Sequence, residues 1–188
     1  MLRFVSGIAL TLLAGAADAA PETYVIDTGH TAPRFEYNHQ GLSTQVHRFD
    51  KATGSVLLDR EATTGAVEVN IDATSVNTGL ALFNQHIQGP DFFDTATHPT
   101  ITFRSTKVSF KGDVPATVEG DLTIKGVTRP VILTVTSFVA KPHPMYKKPA
   151  LGANAVARLK RSDFNMGKCV PNVSDEVTLS IAMEATQE

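Results

Sequence analysis

The chain of 188 residues carries 17 basic and 19 acidic side chains, a formal net charge of -2, and it is 42% hydrophobic without tryptophan. This length fits one domain with a sizeable core. The charged residues form neither a run of one sign nor a basic stripe, which argues against a nucleic-acid partner.

Residues 1–19 have the pattern of a secretory signal peptide. A single cation, Arg3, precedes an apolar run over 4–13, and small residues follow to Ala20. Ala17-Asp18-Ala19 fits the small-x-small rule, which predicts cleavage after Ala19 and a mature domain over 20–188. The alternative is a membrane anchor, but the run is shorter than the roughly 20 apolar residues that spanning needs. We therefore expect export, with no stable membrane insertion after cleavage.

Cys169 is the single cysteine, so an exported domain would have no internal disulfide and burial must hold the fold. The residue is either a small, partly buried side chain or a reactive thiol with Lys168 as its cationic neighbour. The first interpretation is favoured.

Alternation of apolar and polar residues, or a short run of apolar and β-branched residues, predicts strands along most of the mature chain. The predicted strands are 24–27, 34–38, 45–49, 55–58, 66–72, 100–104, 107–110, 118–124, 127–139, 153–157 and 177–183. In the fifth stretch Val67, Val69 and Ile71 point one way and polar residues point the other, which is typical of an antiparallel sheet.

One helical stretch interrupts the strands. Thr78 is a candidate N-cap, and Gly89-Pro90 ends the helix. The apolar positions between them recur at near-helical spacing and include Leu80, Leu82, Phe83, Ile87 and, beside them, His86. We expect this helix to cover the sheet.

The clearest local signal is a hairpin over Val118–Val139. Lys125-Gly126 makes a two-residue turn between its arms, and Gly126 can adopt the positive φ that tight hairpin turns require. Pro130 cannot donate to a ladder, so it should start a strand or lie at an edge. Two arms with one apolar face each need further strands to cover them.

These elements predict an all-β domain, either a closed antiparallel barrel or a sandwich, with a short helical insertion. The barrel is favoured because closure removes edges that an exported, disulfide-free sheet would otherwise expose. Ala153, Ala155 and Ala157 share one face of a strand. If that face points inward, the row either leaves room in the interior or makes way for the helix.

No residue pattern specifies a reaction or a metal. The six histidines lack the helical i, i+4 spacing or the cysteine pair that a zinc site would show, although His39 and His47 could meet across a hairpin. Neither a glycine-rich phosphate loop nor a Gly-x-Ser-x-Gly elbow occurs. Asp91 follows Pro90 directly, which favours a capping role for this carboxylate.

Five stretches in order resemble the motifs of one family. They are His39-x-Gly41, Gly54–Val56, Asp91–Asp94 followed by Pro99–Thr106, Asp121–Val131, and Arg161–Met166 followed by Ser174–Val177. Over essentially all of 22–185 the chain is similar to the YceI-like family of polyisoprenoid-binding, lipocalin-like proteins.

The resemblance implies an eight-stranded antiparallel lipocalin-like β-barrel with a short helical insertion, exported to the periplasm. It implies a binding or carrier protein for a long-chain isoprenoid or related amphiphile, of quinone or polyprenyl phosphate type, with no further cofactor. It also allows a homodimer. The predicted ligand contacts are Phe35, Tyr37, Phe49, Leu82, Phe83, His86, Ile87, Phe92, Phe93, Ile101, Phe103 and Met166.

A phosphate head group would stay near the mouth, where Arg34, Arg48, Arg104 or Lys147 could meet it. Some relatives carry a cysteine pair around Val139–Gly152, which this chain lacks, so its loop at 141–149 is expected to be freer.

Two alternatives stay open at this point. One is an enzyme acting on such a lipid, with His86 and Asp91 or Asp94 as acid and base. The other is a stress-related interaction module whose barrel is filled by its own side chains and takes no ligand.

Overall fold

A computed structural model describes residues 20–188, and the predicted signal peptide lies outside the described residues. The strands are β1 (Glu22–Ile26), β2 (Ala32–His39), β3 (Ser43–Phe49), β4 (Ala52–Asp59), β5 (Thr64–Asp72), β6 (Val76–Asn77), β7 (Thr100–Lys111), β8 (Val114–Ile124), β9 (Val127–Pro142), β10 (Pro149–Lys160) and β11 (Glu176–Gln187). The helix α1 spans Ala81–Ile87, and 3₁₀ turns occupy Ala73–Ser75 and Arg161–Phe164.

The strands form a closed barrel. Antiparallel pairing runs in the order β1-β4-β5-β7-β8-β9-β10-β11, and β11 then pairs with β1 to complete the ring. The remaining strands, β2, β3 and β6, extend from β11 as a small flap. This ring confirms the predicted eight-stranded antiparallel barrel, and barrels of this size have room for side chains or for one small ligand.

The predicted hairpin is present between β8 and β9. Ile124 pairs with Val127 across the turn, where Lys125 and Gly126 have φ values of 50° and 72°. Two successive positive φ values are those of a type I′ turn, whose twist matches that of the strands. Pro130 lies beyond the part of β9 that pairs with β10, which ends at Thr134, so the predicted edge position is confirmed.

Alternation along the strands sends one set of side chains into the barrel. Ile101 and Phe103 are buried on the inner face of β7. Arg104, the next residue along the strand, points outward and pairs with Glu68 on β5. The Phe103 ring lies over Gly120 on the next strand. A Cβ at Gly120 would lie 2.6 Å from Phe103 Cζ and 2.5 Å from the Arg104 carbonyl oxygen, so only glycine fits there.

The helix begins later than predicted, and the prediction that Thr78 caps it is wrong. Leu80 occupies the N-cap position without a side-chain hydrogen bond. Gly79, with φ of 84°, turns the chain between Thr78 and the helix. Thr78 instead donates from its backbone N–H and its hydroxyl to Asn84 Oδ1, both at 2.7 Å. Among residues 20–188, no helix has the length and hydropathy needed to cross a membrane.

Candidate ligand-binding site

The barrel encloses a cavity of about 370 Å³. Its wall consists of inward-facing side chains from most strands of the ring, closed on one side by α1 and the Phe92–Phe93 turn. The wall is almost entirely carbon. A cavity of this size and character lies within the range of protein sites for small organic ligands. The filled interior that the interaction-module alternative required is therefore not what the structure has.

Most of the predicted contact residues meet at this cavity. Its wall contains Phe35, Tyr37, Phe49, Phe83, His86, Ile87, Phe92, Phe93, Ile101, Phe103 and Met166. Leu82 lies outside it, with its side chain 73% exposed. The reason is helical geometry, because Phe83, His86 and Ile87 share one face at i, i+3 and i+4, whereas Leu82 projects about 100° away from Phe83. Contact between these residues and a ligand stays a prediction.

Aromatic rings line the covered side of the cavity. The centroid of the Phe93 ring lies 5.7 Å from that of Phe35 and 5.3 Å from that of Phe49, both in edge-to-face geometry. Phe35 and Phe49 approach each other at 5.6 Å. Such contacts favour a fixed arrangement beyond the area they bury. The turn that carries Phe93 is thus held against the flap strands by ring packing.

The alanine row faces inward, as both interpretations of it assumed. Ala153 and Ala155 line the cavity, and Ala157 is buried in the core. Ala155 lies opposite Ile181 on β11 and Val135 on β9. Because this stretch contributes only methyl groups between larger neighbours, it leaves the space beside β10 unfilled.

His47 is the buried polar group of the aromatic side. Its Nε2 lies 3.1 Å from the Tyr37 hydroxyl, and its buried Nδ1 has no hydrogen-bond partner among the described residues. Burial lowers the pKa of His47, and the neighbouring backbone of Val46 opposes that shift. The register opposes His47 to Phe35 and His39 to Ser43, so the two histidines do not meet as a cross-strand pair.

The cations at the cavity differ from those expected for a head group. Arg34 does line the wall, but Arg48, Arg104 and Lys147 do not. Arg48 pairs instead with Asp50 at 2.6 Å. Arg161 and Lys168 both line the wall, and neither was predicted as a head-group contact. Arg161 belonged to a family-like motif, but nothing in that motif placed its side chain at a cavity.

The acid and base candidates do not contact one another. The His86 ring stacks on Phe83 at a centroid distance of 6.0 Å and meets Phe92 at 5.1 Å. Asp91 accepts a hydrogen bond from Lys168 Nζ at 3.1 Å, and Asp94 accepts one from the Thr97 hydroxyl. The geometry therefore gives neither carboxylate a hydrogen bond to His86 among the described residues.

Two further groups lie near the barrel surface. Cys169 is exposed, which corrects the expectation of a partly buried side chain; its φ of 67° belongs to an open turn.

Asp27, His30 and Glu184 are the one group of three potential metal ligands within the described part of the chain, and none of them lines the cavity. His30 Nδ1 lies 2.7 Å from Asp27 Oδ2. This hydrogen bond raises the pKa of His30 and lowers that of Asp27.

Comparison with known proteins places this geometry among relatives. Residues 24–185 match the model of the YceI-like domain. A UPF0312 protein of Vibrio cholerae is 34% identical over 184 residues, which cover 96% of this chain and 93% of that protein. The crystal structure of Burkholderia cenocepacia BcnA has a TM-score of 0.72 at 28% identity, covering 86% of this chain and 99% of BcnA. A polyisoprenoid-binding domain from Saccharophagus degradans has a TM-score of 0.66 over 88% of this chain and 98% of that one; at 18% identity it shows the fold alone.

Proposed function

This chain belongs to the family of YceI-like domains, and from that premise we propose that it is a periplasmic binding or carrier protein for a long-chain isoprenoid or related amphiphilic lipid. The tail of a quinone or polyprenyl phosphate would occupy the barrel interior. The bound lipid would be the cargo, with no further cofactor.

The observation that carries the proposal is the apolar cavity inside the closed ring. Transfer of each methylene group from water into such a cavity contributes about 0.8 kcal/mol, so a long tail binds without directed polar contacts. A domain under no such demand would fill the space, because protein interiors are otherwise close-packed. Alanines at positions 153 and 155 leave it open.

The ligand class to test first follows from chemistry and from fold-level likeness. The Saccharophagus domain is described as polyisoprenoid-binding, and that lipid class matches a wall that offers carbon almost throughout. For this chain the proposed ligand class depends on the chemistry of its own cavity.

Binding is favoured over catalysis by what surrounds the candidate acid and base. His86 packs on two phenyl rings, and Asp91 is engaged with Lys168. Acid–base chemistry needs such groups within hydrogen-bond reach of a common reacting atom.

Native mass spectrometry of the protein purified from its host tests the proposal. We expect a co-purified lipid of defined mass, and the delipidated protein should take up an isoprenoid quinone or a polyprenol. Absence of any lipid together with no uptake of either probe would overturn the carrier function. In the same preparation, a mature N-terminus at Ala20 in the periplasmic fraction would support export and cleavage after Ala19.

A further inference from the structure

The cavity wall is unusual in its charged residues. Of the described residues that line it, none is aspartate or glutamate, whereas Arg34, Arg161 and Lys168 all take part. The chain as a whole has 19 acidic and 17 basic side chains, so composition does not account for a wall that carries cations alone. The exposed surface of the wall is almost entirely carbon, so these three side chains border the cavity and give it a positive field, which attracts anionic ligands.

Arg161 is the most deeply placed of these cations, with only 7% of its surface exposed. Its Nε donates to the Ser174 carbonyl at 2.8 Å, and its Nη2 donates to the Val173 carbonyl at 2.8 Å. Its Nη1 donates to the carbonyls of Lys168, at 2.7 Å, and Met166. The guanidinium has one more N–H donor than these four carbonyls satisfy.

No carboxylate of the described chain forms a salt bridge with this guanidinium. Burial lowers the pKa of Arg161, and Asp175 opposes that shift from beyond contact distance. Asp175 is itself engaged, because it accepts hydrogen bonds from the backbone N–H and the hydroxyl of Ser162. Buried charges are ordinarily paired, since an unpaired one bears a large desolvation cost.

Three other polar side chains converge on the same end of the cavity. His39 lines the cavity, and its backbone bridges to that of Val173, whose carbonyl binds Arg161. Tyr37 lines the cavity too; burial raises its pKa, and the charge of Arg161 opposes that shift. Lys168 completes the group and is half exposed, held 3.1 Å from Asp91 Oδ2. We refer to Tyr37, His39, Arg161 and Lys168 as the mouth cluster.

We propose that the mouth cluster binds an acidic head group, a carboxylate or a phosphate, on the amphiphile whose tail fills the barrel. This inference rests on the proposed function and specifies its ligand class. Carboxylate and phosphate oxygens accept from guanidinium and ammonium groups in short, charge-assisted hydrogen bonds. An acidic head group would supply the charge that the buried guanidinium lacks, whereas a neutral one would not.

The test is a competition between ligands that share a tail and differ in the head group. The delipidated protein is incubated with equal amounts of hexadecanoic acid and hexadecan-1-ol, or of geranylgeranyl phosphate and geranylgeraniol, and the bound species are read by native mass spectrometry. We expect the acid to be preferred about tenfold in at least one pair. The pair with the larger ratio distinguishes a carboxylate from a phosphate head group.

Equal or better binding of the alcohol in both pairs would overturn the acidic head group and leave a carrier of neutral lipids. Uptake of an isoprenoid quinone with no uptake of any of the four compounds would likewise overturn this inference alone. No co-purified lipid and no uptake of the quinone or of any of the four compounds would overturn the carrier function as well.

Two exposed substitutions locate the effect without disturbing the carbonyl contacts of Arg161. Lys168→Gln should lower the ratio of bound acid to bound alcohol about threefold, and Asp91→Asn should raise it by a similar factor, since Asp91 competes with the ligand for Lys168. Glu119→Gln and Lys107→Gln are matched controls, because this exposed pair, at 3.4 Å, does not line the cavity and should leave the ratio unchanged. A ratio that neither Lys168→Gln nor Asp91→Asn alters would refute the assignment to the mouth cluster.

Discussion

Replacing Ala155 by phenylalanine should abolish most lipid binding while leaving the barrel at least as stable. The Ala155 methyl group faces the cavity between Ile181 and Val135, so a phenyl ring built there enters the open space. If the ring displaces about four methylenes of a bound tail, binding weakens by about 3 kcal/mol, which is roughly 100-fold. Filling an apolar cavity commonly stabilises a protein by about 0.5–2 kcal/mol. The two effects therefore have opposite signs.

The affinity is measured by titrating the delipidated protein with an isoprenoid quinone under native mass spectrometry, and the stability by urea unfolding. Val156→Phe on the outward face of the same strand is the matched control, because Val156 is exposed and does not line the cavity. It should leave binding unchanged. A lipid affinity of Ala155→Phe equal to that of the unsubstituted protein would show that the tail lies elsewhere.

Three further substitutions test the framework of the site. Gly120→Ala should destabilise the barrel by about 2 kcal/mol or more in urea unfolding, because its Cβ would lie 2.5 Å from a backbone carbonyl oxygen of the neighbouring strand, whereas Gly152→Ala, with nothing within 4 Å, should be tolerated. Arg161→Met leaves four carbonyls without their donor and should cost about 3 kcal/mol, a fall in Tm of roughly 6–12 °C, of which Arg161→Lys should recover part. The pKa of His47 in the folded state lies below the ordinary value of 6.5. As the pH falls through 6.5, the unfolded chain therefore binds more protons than the folded one, and the free energy of unfolding declines. His47→Gln should decline less than the unsubstituted protein between about pH 7.5 and pH 5 in the same unfolding assay. An equal decline for the two proteins would contradict the assignment to His47.

The inward-facing positions of the strands could be predicted from the sequence because strand geometry allows little choice. Side chains alternate strictly, so Val67, Val69 and Ile71 share a face once the strand is recognised, and all three reach the cavity wall. The turn at Lys125-Gly126 was predictable for a similar reason, since few residue types adopt two successive positive φ values. Closure of these strands into a ring followed from the cost of exposed edges.

The helix and the mouth cluster depend on tertiary contacts, which a local sequence pattern does not encode. The helix spans only Ala81–Ile87 and carries apolar residues on more than one side, so periodicity alone could not separate Leu82 from Phe83. Arg161 reaches the cavity because its donors are satisfied by carbonyls that follow it in the chain, the farthest that of Ser174. No local pattern encodes such an arrangement.

The pairing of β11 has a consequence for folding during synthesis. This strand lies beside β10, β1 and β2 at once, and residues 185–187 form the seam with residues 24–26. Until residues 176–187 have emerged, a nascent chain can form only an open sheet with two unprotected borders, and such borders invite association with other chains. A chain that ends a dozen residues early would therefore form an open, aggregation-prone sheet, because the strand that closes the barrel would be missing.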